Sequence, residues 1–318
     1  MFFRDVIGQE EIKRRLIQEV REGRIPHAQL ICGPEGVGKM PLAIAYARYI
    51  SCTNRGETDA CGVCPSCVKF NKLVHPDVHF VFPIVKSAKG KKEVCDDYIA
   101  DWRPFVINNP YFNLNHWLNE MDAENSQALI YAKESDEILK KLSLKSSEGG
   151  FKITIVWLPE KMHPVCANKL LKLLEEPPEK TVFLLVSEAP DMILPTILSR
   201  CQIYDFNRIG IKDTIDHLQY VAKLEHINAE PEALTVIAQK ADGGMRDALS
   251  IFDQVVSFTG GNITYKSVIE NLNVLDYEYY FKLTDLLLEN KVPESMLLFN
   301  DVLKKGFDGT PLPTPLPY

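Results

Sequence analysis

Apolar positions recur along this chain with two different periods, and the change between them marks its organisation. Over Glu10–Glu22, the residues Ile12, Leu16, Ile17 and Val20 fall on one stripe of a helix that Gly23 closes. An apolar strand at 27–31 follows, and Leu42, Ile44, Ala45, Ala47 and Ile50 give 41–50 a helical pattern. Residues 78–82 alternate with period two, 130–143 reads as a helix and 152–158 as an apolar strand. A helix at 166–178 is stopped by Pro177-Pro178, and Thr181–Val186 and 202–206 are further strands. Strands and helices in this alternation predict an α/β fold, a parallel sheet with helices on both faces.

From Asn207 the pattern is helical only, with helices expected at Ile211–Leu224, Pro231–Lys240 and 245–258 and a further helical piece running to Gly306. The expected division is therefore an α/β domain at 1–207, a three-helix domain at 208–261 and a helical segment at 262–309. The proline-rich end, 310–318, suits neither helix nor sheet interior and reads as a disordered or non-native tail. Inside the first domain, 86–127 reads as an irregular insertion. It turns from basic to aromatic (Trp102, Phe105, Tyr111, Phe112, Trp117), is broken by Pro104 and Pro110, and is expected to pack its rings on the main body. A surface for stacking single-stranded bases is the sharper alternative, but no basic residues are interleaved with the rings.

Composition narrows the class. The 318 residues are 46% hydrophobic and 25% charged, as in a globular protein of two or three domains. A net charge of -7 argues against a protein that coats nucleic acid by itself, and the basic stretch 86–92 reads as a solvated loop. No apolar run is long enough to span a bilayer and the N-terminus lacks a secretory pattern, so a cytoplasmic protein without membrane contact is expected.

The chemistry concentrates in Gly33-Pro34-Glu35-Gly36-Val37-Gly38-Lys39-Met40, between a strand and a helix. That setting suits a phosphate-cradling loop: glycines permit close backbone approach, Lys39 reaches the outer phosphates, and the helix N-terminus faces the anion. The alternative is an ordinary Gly-rich turn. Where a hydroxyl would ligate magnesium the chain has Met40, whose thioether has little affinity for a hard cation. The second strand should end in the acids of a magnesium site, and it ends Trp157-Leu158-Pro159-Glu160. Two independent losses at one ion predict weak or absent nucleotide binding and no hydrolysis.

Cys52, Cys61, Cys64 and Cys67 are spaced C-x8-C-x2-C-x2-C in a polar stretch. This spacing suits four thiolates around one structural zinc, a closed site that staples a loop too polar to fold alone. A disulfide pair is the alternative. Cys32, Cys95, Cys166 and Cys201 read as buried small side chains, and His75 and His79 as structural.

Taken in order, Val6-Ile7-Gly8-Gln9, the phosphate loop, the four-cysteine insert, the run from Leu170 through Glu175-Glu176-Pro177-Pro178, Ser199-Arg200-Cys201 and Gly244-Met245-Arg246-Asp247-Ala248-Leu249-Ser250 are similar to clamp-loader subunits of bacterial DNA polymerase III, in the AAA+ superfamily. The first two thirds, with His75-Pro76-Asp77, resemble the delta-prime subunit, and the chain from about Ile193 the gamma/tau subunit, so it reads as a natural mosaic of the two or as a joined sequence. The resemblance implies an AAA+ domain, a helical lid and part of a helical collar. It implies a subunit of a DNA-directed DNA polymerase holoenzyme with no catalysis of its own, which helps load the sliding clamp. Its implied partners are the gamma/tau and delta subunits, the sliding clamp and, through the assembled complex, primer-template DNA. Arg200 stands where the family supplies an arginine finger to the neighbouring subunit's ATP, and Arg246 where the lid senses nucleotide. The alternatives are an ATP-hydrolysing gamma/tau-type motor and a zinc-dependent nucleic-acid adaptor outside any ring.

Overall fold

The structure, a computed structural model, describes residues 1–86, 92–272 and 277–304. Most of the basic stretch 86–92 and the proline-rich end 310–318 lie outside the described residues. The chain divides into two compact units: Met1–His217 with Ala241–Leu249, and Leu218–Lys240 with the residues from Ser250 onward.

The first unit is built on five parallel strands, β1 (Ala28–Cys32), β2 (Val78–Val81), β3 (Lys152–Trp157), β4 (Thr181–Val186) and β5 (Gln202–Asp205), in the order β2-β3-β4-β1-β5. Every residue of β1, β3 and β4 is buried. This is why they read as apolar runs and not as alternating ones: a parallel sheet is covered on both faces. The covering helices are α1 (Glu10–Glu22), α2 (Lys39–Ser51), α3 (Pro65–Asn71), α4 (Ile99–Asn108), α5 (Leu114–Glu120), α6 (Glu134–Ser143), α7 (Pro164–Glu175) and the single turn α8 (Pro195–Leu198). The α2 helix is buried on all sides down to Ile50, even at Arg48. The Arg48 guanidinium donates to Asn71 Oδ1 at 2.6 Å and to the Cys67 carbonyl at 3.4 Å, and stacks over the Phe2 ring. A buried charge is tolerable only with such partners.

The insertion at 86–127 is not irregular: it holds α4 and α5. Pro104 lies inside α4, where it costs a backbone hydrogen bond and about 3 kcal/mol. Aromatic burial outweighs that loss. Trp102 stacks on Phe82 at 4.0 Å and meets Trp117 edge-on at 4.9 Å, and Phe112 packs on Trp157 at 4.8 Å. Trp117 donates its indole N–H to the Pro83 carbonyl at 2.9 Å. Trp102 and Trp117 are fully buried, so these rings are core and not a base-stacking surface.

Helices α9 (Ile211–Leu224) and α11 (Met245–Thr259) cross the boundary between units. The second unit also holds α10 (Pro231–Lys240), α12 (Tyr265–Leu272), α13 (Tyr277–Leu288) and α14 (Val292–Lys304). It is not purely helical: β6 (Asn228–Ala229) pairs in parallel with β7 (Asn262–Ile263), beside an Asn228–Asn262 side-chain bond of 2.9 Å. Two residues per strand are too few for a period to register. The hairpin of α13 and α14 exposes Phe281, Leu287, Leu288, Met296 and Leu297.

Candidate functional site

The ends of β1, β3 and β4 open on one side of the sheet, the position where parallel α/β folds place their ligands. The loop after β1 is shaped by Gly33, Gly36 and Gly38, with φ of 137°, 72° and 89°. A side chain at Gly33 would collide with the Phe206 carbonyl, 2.5 Å from an ideal Cβ. The glycines and Lys39, at the first turn of α2, lie together, and Arg246 packs against Gly36. Lys39, however, is 5% exposed and turns back on its own loop, donating to the Gly33 carbonyl at 2.8 Å and to the Pro34 carbonyl. Burial lowers its pKa, against the pull of Glu188, Glu35 and Glu160.

Met40 is buried beside the loop, and no acid stands at the end of β3. Trp157 faces the aromatic cluster, while Leu158 takes a left-handed conformation (φ 53°) and donates its N–H to Val186. Glu160, the nearest acid in sequence, is engaged elsewhere. Its carboxylate accepts from Ser187 Oγ (2.9 Å) and from the backbone N–H groups of Glu188 (3.0 Å) and Ala189 (3.2 Å).

The front of the loop is occupied. Tyr111, just before α5, lies over Gly38, with Cε1 3.2 Å from where a Cβ would stand, and its hydroxyl accepts the Ile7 N–H at 3.4 Å. What remains between Gly36, Gly38, Lys39, Met40, Tyr111, Trp157 and Glu188 is a cavity of about 20 Å³, room for a single water. Arg246 meets Glu35 of the loop (Nη1 to Oε2, 2.5 Å) and Asp247 (Nη2 to Oδ1, 3.0 Å). The Arg246 hydrogen bond holds the Glu35 carboxyl below its ordinary range. Glu188, half-buried beside Lys39, is pushed up to about 7 by burial.

Cys52, Cys61, Cys64 and Cys67 converge, all four sulfurs lying within 4.8 Å of one another. The Cys52–Cys61, Cys52–Cys64 and Cys61–Cys67 separations are 3.6, 3.9 and 4.0 Å. A tetrahedron with metal–sulfur bonds of about 2.3 Å has edges of about 3.8 Å, whereas a disulfide holds its sulfurs about 2 Å apart. The donor set therefore fits zinc. Backbone N–H groups of Cys61, Cys64 and Cys67 point at the preceding sulfurs at 3.3–3.4 Å, an arrangement that favours thiolates. Asp77 lies after the module and holds the 146–148 turn, its carboxylate accepting from the Ser146 hydroxyl and the Ser147 and Glu148 N–H groups.

Arg200 is not part of the cavity's lining. It follows α8, half-exposed, with Nη2 2.7 Å from Glu175 Oε1 and Nη1 2.8 Å from the Thr196 carbonyl.

A family model described as DNA polymerase III, delta subunit, matches residues 8–210, and one described as DNA polymerase III clamp loader subunit, ATPase lid domain, matches 214–261. The chain belongs to the DNA polymerase III clamp-loader family. It is 29% identical over 306 residues to the DNA polymerase III subunit tau of Bacillus subtilis, covering 96% of this chain and 47% of that protein. To subunit tau of Escherichia coli it is 28% identical, covering 96% and 41%. To subunit gamma of Buchnera aphidicola it is 28% identical, covering 96% and 73%. The chain thus spans less than half the length of those tau subunits. Among solved structures, the Thermotoga maritima RuvB Holliday junction branch migration motor matches with a TM-score of 0.53 at 15% identity, covering 91% of this chain and 79% of that one, a likeness of AAA+ fold. The first model ends at residue 210 and the second begins at 214, whereas the tau and gamma subunits match across 96% of the chain. Among the described residues no helix is long and apolar enough to cross a membrane.

Four residues that bear on this site escape sequence reasoning: Glu35, Tyr111, Glu175 and Glu188. Only Glu35 carried a local signal, an acid inside a loop built to receive anions.

Proposed function

We propose that this clamp-loader subunit does not hydrolyse ATP and acts as a fixed member of the ring. It offers Arg200 to the ATP of an adjacent gamma/tau-type subunit and helps that assembly, with a delta subunit, load the sliding clamp onto primer-template DNA. The observation that carries this reading is the double loss at the magnesium position, a buried thioether at Met40 and Trp157-Leu158 at the end of β3, with Glu160 bound to backbone. A guanidinium is planar and permanently charged, suited to neutralising charge on a transferred phosphoryl group. Its exposed position after α8 leaves Arg200 accessible to a neighbour. The four cysteines hold a structural zinc, and the apolar surface of α13 and α14 supplies a collar contact in the assembled ring.

An ATP-hydrolysing gamma/tau-type motor is the second reading, favoured by the lid match and the tau and gamma relatives. Reconstitution decides between them. The pure chain with magnesium and ATP is expected to show no turnover. In a complex with motor subunits, R200A is expected to abolish turnover with assembly retained. Turnover by the isolated chain overturns the proposal.

A further inference from the structure

The phosphate-loop pocket is already complete without a ligand. Nucleotide clefts need about 300 Å³ or more, and the space left here is about 20 Å³. The two cations that would meet phosphates are committed elsewhere. Lys39 Nζ is held by the Gly33 and Pro34 carbonyls. The Arg246 fork is divided between Glu35 and Asp247, the latter also accepting Nε–H at 3.1 Å. Segment 110–113 touches the loop through the Tyr111 ring over Gly38. On the other side, the Met245 N–H donates to the Gly36 carbonyl at 2.9 Å, and Gly36 lies against the Arg246 stem, whose Cβ is 3.2 Å from an ideal Cβ there.

We infer that Glu35 and Tyr111 close the phosphate loop from two sides: the Glu35 carboxylate, on the exposed rim outside the cavity, takes the place of a phosphate on Arg246, the Tyr111 ring fills the front of the loop, and together they hold Ala241–Leu249 against the loop with no nucleotide present. A triphosphate entering this site would displace a ring from the glycine it covers. It would also break a charge-assisted pair and bring its own negative charge next to Glu35, Glu160 and Glu188, the acids that face Lys39. The inference rests on the non-hydrolysing reading and sharpens it, from a pocket that binds nucleotide without splitting it to one that binds none.

The test uses the full chain and two readouts: anisotropy of N-methylanthraniloyl-ADP, with and without magnesium, and hydrogen exchange at Ala241–Leu249. The wild type is expected to show no saturable binding up to about 1 mM. Y111A, checked for folding by circular dichroism, is expected to gain binding in the range of about 0.1–1 mM; should it fail to fold, Y111L trims the ring and keeps an apolar contact. E35Q is expected to speed exchange in the segment by about tenfold. Saturable binding by the wild type overturns the inference. A folded Y111A or Y111L that takes no probe does so as well, as does unchanged exchange in E35Q. Wild-type binding without turnover would sink this inference alone, whereas turnover would sink the reading beneath it.

Discussion

Arg200 is joined to Glu175 across 2.7 Å, between the turn after α8 and the last residue of α7, while its other terminal nitrogen rests on the Thr196 carbonyl. Both side chains are more than a third exposed, so the pair contributes little to stability, on the order of 0.5 kcal/mol.

R200A should therefore leave unfolding of the isolated chain within about 0.5 kcal/mol of wild type. In a reconstituted clamp loader it should lower ATP turnover by the neighbouring subunit about a thousandfold. R200K should recover only a small part, because an ammonium cannot reproduce the planar fork. Normal turnover in a complex containing R200A would remove Arg200 from the mechanism.

The four-sulfur cluster predicts one zinc per chain, measurable by elemental mass spectrometry. C64S should lose the metal and about 2 kcal/mol or more of stability, and should open residues 52–67 to protease while the sheet unit stays folded. Chelation should produce the same cleavage pattern. A metal-free chain with an unchanged melting temperature would exclude a structural zinc.

Restoring one ligand should not restore chemistry. M40T supplies the missing hydroxyl, yet β3 still ends in Trp157-Leu158 and Tyr111 still covers Gly38. Phosphate release by M40T with magnesium and ATP should remain at background. Turnover in this variant would show that Glu160 leaves the backbone of Glu188 and Ala189 to serve a metal.

Glu188 gives the site a pH signature. Its folded pKa is raised from 4.5 to about 7 by burial, so between those values the folded chain holds a proton that the unfolded chain releases. Stability should thus fall as pH rises from about 4.5 to about 7, by on the order of 1–2 kcal/mol, with Lys39, Glu35, Glu160 and Arg246 as the charges that face the group. Denaturant unfolding at pH 5 and pH 8 should show a smaller difference for E188Q than for wild type. An identical pH dependence in both would contradict the assignment.

The elements legible in the sequence were those whose burial is local. α1, α9 and α10 have the bounds their periodicity predicts, since each presents a repeating face to its neighbours, and β4 has those of its apolar run, buried on both faces. α4 and α5 were not legible. Their rings bury themselves against Phe82 and Trp157, residues remote in the chain, and Pro104 masks the helix locally. Lys13 shows the same limit: a charged residue on the apolar stripe of α1, it is buried with its ammonium on the Glu10 carboxylate and the Val6 carbonyl.

By itself the sequence determined the parallel α/β order, the cysteine spacing, the glycines of the phosphate loop and the two side chains that cannot hold magnesium. Those features depend on residue type and near neighbours, which a linear string contains. Only the tertiary structure decided what stands around the phosphate loop. Glu35 and Arg246 are 211 residues apart, and Tyr111 reaches Ile7 across 104. No pattern of period two or 3.6 records a pairing over such distances; the folded sheet brings the partners together.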